Sequence, residues 1–153
     1  MFNILHHHTE SVHQLEEILS DASVRHLMQA AFDFLAFFVW HDKENQEELS
    51  DVKHLDFILR AAEHGIHAEK LLMRLLEGNS ELAQERFGEE GHAHIEQLAH
   101  HFVTHERCRT PDFVKVFELL IVETNSREMQ QQIYDALIPA LERDNVRLSR
   151  KAE

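Results

Sequence analysis

Residues 21–48 read DASVRHLMQAAFDFLAFFVWHDKENQEE, and this stretch decides the fold class. Ser20 or Asp21 offers a side-chain oxygen to the free amides of a first helical turn. Val24, Leu27, Ala31, Phe34 and Phe38 then recur at intervals of three, four, three and four. That is the period of one helical face, not the alternation of a strand. The spacing predicts a helix running to about Glu48 with those five residues facing a core, and the stripe, extended, reaches His41 and Asn45.

The same period runs outward in both directions. Leu5, His8, Val12, Leu15 and Leu19 form one stripe and predict a first helix over Phe2 to Leu19. Ser50 suits the start of a third helix through Leu76, with Leu55, Ile58, Ala62, Gly65, Glu69, Leu72 and Leu76 on its inner face. Gly78-Asn79-Ser80 supplies a glycine stop and a new capping serine. A fourth helix is expected from about Gly91, or earlier with a break at Gly88, to Arg107. Thr110-Pro111-Asp112 starts a fifth over Phe113 to Ile121, and Asn125 with Glu128 opens a last segment to Leu148, kinked or interrupted near Pro139. The expectation is a single all-α domain over residues 1–153: an antiparallel four-helix bundle with one or two accessory C-terminal helices.

Charge narrows the partners. With 28 acidic residues against 15 lysines and arginines, the formal charge is -13, and phosphate backbones or anionic membrane surfaces would be repelled. No apolar run approaches the roughly 20 residues that span a bilayer, and the start of the chain lacks the pattern of a secretory leader. A soluble, cytoplasmic protein is expected. The single cysteine, Cys108, forms no internal disulfide and no cysteine-rich zinc motif. No nucleophile triad, phosphate-cradling glycine loop or dinucleotide fingerprint is present.

Fourteen histidines remain to be explained, all between His6 and His105. Imidazole is the commonest metal ligand, and several imidazoles converging from different helices can satisfy one another through one metal cluster. His8 falls on the inner stripe of the first helix, and His41 extends that of the second, with Asn45 four residues on. His64 stands beside the small Gly65 and Ala68, and Glu69 occupies an inner position where a carboxylate needs a cation or a donor. His101 and His105, four apart, share one helical face; His92 with Glu96 is a competing pair. The metal ligands expected are therefore His8, His41, His64, Glu69, His101 and His105.

This series resembles the hemerythrin-like, or HHE cation-binding, family of four-helix bundles. It runs from Leu5-His6-His7-His8 through His41-Asp42-Lys43-Glu44-Asn45 and Glu63-His64 to His101 and His105, covering about residues 2 to 107. Asn45 stands where that family places a bridging glutamate, and a second register over residues 22–150 would use residues 64–69 and 91–96 instead. The resemblance implies non-haem iron, possibly di-iron, with zinc or manganese as other occupants, and the binding of dioxygen or peroxide or a redox reaction. A second function is also open: a non-catalytic, acidic regulatory bundle that docks onto a basic protein partner. Either is compatible with a homodimer.

Overall fold

A computed structural model of the chain describes residues 12–88, 92–105 and 110–152. Two compact units divide it, Met1–Gly78 and Asn79–Glu153. Every regular element among the described residues is a helix.

In the first unit, α1 (Val12–Leu19) leads into α2 (Ala22–Phe38), whose N-terminus is capped by Asp21 accepting from the Ser23 amide. The next elements are α3 (Lys43–Leu49), α4 (Val52–Glu63) and α5 (Glu69–Leu76). The two long helices expected here are each divided. Val39 to Asp42 separate α2 from α3, and His41 takes a left-handed φ of 57° at that break. His64 to Ala68 separate α4 from α5, with Gly65 at a φ of 94°, a conformation that glycine enters without steric cost. The helix start assigned to Ser50 belongs to Asp51, which accepts from the Lys53 amide, while Ser50 is buried and closes α3.

Leu15 and Leu19 of α1 are buried as the stripe predicts. So are Leu55, Ile58 and Ala62 of α4 and Leu72 and Leu76 of α5, so the inner face survives the break between those helices. Helix α2 departs from its expected orientation. It buries Met28, Ala31, Phe32, Leu35 and Ala36, and its closing residue Val39 is also buried. Leu27, Phe34 and Phe38 of the expected inner stripe are instead exposed. The buried residues form a second apolar stripe at 28, 32, 35 and 39, offset from the first by about one residue, and that stripe packs against α1 and α5.

The second unit holds α6 (Ser80–Phe87), α7 (His92–Thr104), α8 (Pro111–Thr124) and α9 (Arg127–Ala152). Asn79 rather than Ser80 caps α6, accepting from the Leu82 amide; Ser80 donates to Glu123. Thr110 accepts from the Phe113 amide and Pro111 occupies the first turn of α8, as the sequence predicts. Asn125 closes α8 in a left-handed conformation, and Ser126 caps α9 by accepting from the Met129 amide, the role expected of Asn125. Helix α9 continues through Pro139 and lies along α7 and α8, and α6 packs on both of these. Gly88 ends α6 where a Cβ would fall on the Gln84 carbonyl oxygen, so only glycine fits.

Candidate functional site

The expected ligands fall as follows. His8 lies outside the described residues. His41 is exposed at the α2–α3 break with its ring stacked on Trp40 at 5.1 Å, so it does not face the core. Asn45 does not stand in for a bridging carboxylate. Its Nδ2 donates to the Phe38 carbonyl at 3.1 Å, closing the C-terminus of α2, a bond that a glutamate could not donate. His64 is half-buried at the C-terminus of α4, where its own amide closes the helix.

Glu69 is buried at the start of α5, the helix end that favours a carboxylate, and its Oε1 lies 3.6 Å from Nδ1 of the exposed His67. The chain reaches that position through a clamp that the sequence pattern does not announce. Gln29 of α2 accepts from the His67 amide at 2.8 Å and donates to the His67 carbonyl at 3.0 Å, so one side-chain amide pairs with both backbone groups of one residue. Gln46, also unanticipated, is buried and donates to the carbonyls of Arg74 and Glu77, tying α3 to the end of α5.

In the second unit the expected pair is present. His101 is 0% exposed, and the ring of the half-buried His105 lies 5.7 Å from it, centroid to centroid. Burial, then the positive charge that His105 and His100 would carry, hold the His101 pKa down at about 4 from 6.5. His101 is therefore neutral at physiological pH. Two further histidines serve the backbone: His54 Nδ1 lies 3.2 Å from the Glu48 carbonyl oxygen, and His94 Nδ1 lies 3.2 Å from that of Arg86. Among the described residues, no three histidine, cysteine, aspartate or glutamate side chains are grouped so as to hold a metal ion.

What the described surface does offer is an acidic helix and an aromatic face. Asp42, Glu44, Glu47, Glu48 and Asp51 are all exposed around α3. Separately, Leu27 (65% exposed), Phe34 (57%), Phe37 (66%), Phe38 (47%) and Trp40 (42%) leave apolar surface on and just beyond α2. Phe34 and Phe38 stack at 6.3 Å, and two cations of α5 cover rings of this group: Lys70 over Phe37 at 5.5 Å and Arg74 over Trp40 at 4.3 Å. Three of these residues, Leu27, Phe34 and Phe38, belong to the stripe that the spacing predicts to face inward. The sign of the second face was the parallel run of Met28, Phe32, Leu35 and Val39.

Every regular element among the described residues is thus a helix, and the described histidines include one that closes a helix, His64, one in a turn, His41, and the buried His101 beside the half-buried His105. The chain belongs to the RIH domain family, the ryanodine and IP3 receptor homology: that family's sequence model matches residues 1–146. This overturns the hemerythrin-like resemblance, and the expected ligand set has no support from the family. Of the residues that suggested the resemblance, His41 lies in the break between α2 and α3 and His64 closes α4. No curated protein and no solved structure matches the chain. Among the described residues, no helix is long and apolar enough to cross a membrane.

Proposed function

We propose that the chain is a non-catalytic helical bundle, a receptor-related interaction module that docks onto a basic protein partner through its acidic surface. The observation that carries this reading is the stretch Asp42–Asp51. It places five exposed carboxylates within ten residues of a chain of net charge -13, against the single cation Lys43. Among the described residues, none of the five enters an ion pair.

Asp42 and Asp51 are fixed as helix caps, while Glu44, Glu47 and Glu48 project from α3. Helix α3 is itself held by the buried Gln46, so the carboxylates are displayed on an ordered element. Such a surface speeds the approach of a cationic partner and weakens with salt, because the screening length is about 8 Å at physiological ionic strength.

The test replaces Glu44, Glu47 and Glu48 together by lysine in the full chain and compares proximity labelling in cells with the unaltered chain. Basic proteins labelled by the unaltered chain should drop out with the variant, and their complexes should weaken as salt is raised. An unchanged set of neighbours overturns the docking surface. Elemental analysis of the untagged chain addresses the non-catalytic half, since stoichiometric bound iron would overturn it.

A further inference from the structure

We propose that the exposed face of α2 is a self-association seam, on which two copies of this chain pair α2 against α2, antiparallel, about a two-fold axis. This goes beyond the acidic docking reading and does not depend on it, because the two surfaces use different residues.

Three features of the face point to a second copy as the occupant. The first is its period. Leu27, Ala30, Phe34 and Phe37 with Phe38 follow the three- and four-residue spacing of a helix-pairing seam, and all are exposed. In an antiparallel pair centred at the level of residue 32, Ala30 lies opposite Phe34 of the second copy and Leu27 opposite Phe37. The symmetry repeats each pairing, so a small residue receives a large one twice. The antiparallel arrangement also opposes the two helix dipoles.

The second feature is charge. From Leu27 to Trp40 the sequence carries one formal charge, Asp33, in a chain whose total is -13. The cations Lys70 and Arg74 lie over Phe37 and Trp40 at its border. Arg74 is paired with Glu77 at 2.6 Å and Lys70 offsets Asp33, so the face is close to neutral, and an equally acidic copy can approach it without the carboxylate repulsion found around α3.

The third is area. Five large side chains, each about half exposed, leave roughly 500 Å² of apolar surface per copy. That is at the upper end of what a lone protein exposes, and two copies together reach about 1,000 Å², the lower bound of a specific interface. A dimer of modest, micromolar stability is the match.

Sedimentation velocity of the full 153-residue chain, from about 1 to 100 µM, reads the association directly. Trp40, the single tryptophan, borders the seam and should shift its emission over the same range. A concentration-dependent monomer–dimer equilibrium is expected. Phe34→Glu and, separately, Leu27→Glu should each weaken it at least about 30-fold, with the helical circular dichroism unchanged because both side chains are exposed. Val122→Glu, at an exposed position of α8, should leave it intact. A chain that stays monomeric throughout overturns the proposal, whether the face is bare or reserved for a different protein. So does a dimer indifferent to both α2 variants, or one abolished by Val122→Glu.

Discussion

The two faces of α2 are nearly matched in composition and opposite in fate. One buries Met28, Phe32 and Leu35 against its neighbours, and the other leaves Leu27, Phe34 and Phe37 at the surface. A helix apolar all round belongs in a deep interior, so one that is half outside keeps in water apolar surface whose burial would still be favourable. The faces differ in which stripe is buried among the neighbouring helices, as Phe32 is against Phe57 of α4. Hydrophobicity thus identifies what will be buried somewhere, and packing partners determine where.

The strongest way to break this comparison is to truncate one ring on each face. Phe32→Ala removes a fully buried ring that meets Phe57 edge-on at 6.4 Å, and should cost about 3–5 kcal/mol in urea unfolding. Phe34→Ala, two positions on, should change stability by no more than about 0.5 kcal/mol at concentrations where the chain is monomeric. Comparable losses at the two sites would mean that the faces had been assigned the wrong way round.

The same contrast between inside and outside separates the histidines. His101 is buried with its pKa near 4, and His41 is exposed. Between pH 6.5 and 4 the unfolded chain binds a proton at position 101 that the folded chain refuses, so stability falls as pH falls through that window. The loss approaches about 3 kcal/mol below pH 4. Urea midpoints at pH 7 and pH 4.5 measure it, and His101→Leu should flatten the slope. A slope as steep in the variant would place the acid sensitivity among the carboxylates instead.

Much of the helical pattern was legible because period and caps are local properties. Leu15, Leu19, Leu55 and Leu72 went inside as predicted, and Thr110 with Pro111 opened α8. The breaks at His41 and Gly65 were not legible, because the three- and four-residue spacing can be continued through both, onto His41 and Asn45 in one case and Glu69 and Leu72 in the other, and each break depends on a positive φ. The orientation of α2 was hidden for a related reason: two stripes fit one helix, and the choice rests on distant residues. The family was not legible in the histidines, because their abundance carries no placement and the RIH match replaces the resemblance built on them. His54 and His94 lie against carbonyl oxygens and His64 ends a helix, roles that any spacing permits.

At the C-terminal end of α2 the comparison turns from faces to caps, and the effects become smaller. Asn45→Asp keeps the size and removes the amide donor that reaches the Phe38 carbonyl, while placing a negative charge at the negative end of a helix. A loss of about 1 kcal/mol at neutral pH is expected, partly recovered in acid as the new carboxyl is protonated. A neutral substitution would show that this carbonyl is satisfied by water equally well.

The smallest effect is expected at His41, where the backbone enters the left-handed region at φ 57°. For a residue with a Cβ that conformation costs about 1 kcal/mol or more, and for glycine it does not. His41→Gly relieves that strain but gives up the ring stacked on Trp40 and adds freedom to the unfolded chain. The relief of strain outweighs both losses because the stack is exposed, so a net gain of about 0.5 kcal/mol, or roughly 1–2 °C in the melting temperature, is expected. A lower melting temperature would mean that the imidazole holds Trp40 in place. In that event the border of the exposed face is built around His41, and the same variant should loosen the Trp40 emission shift that accompanies self-association.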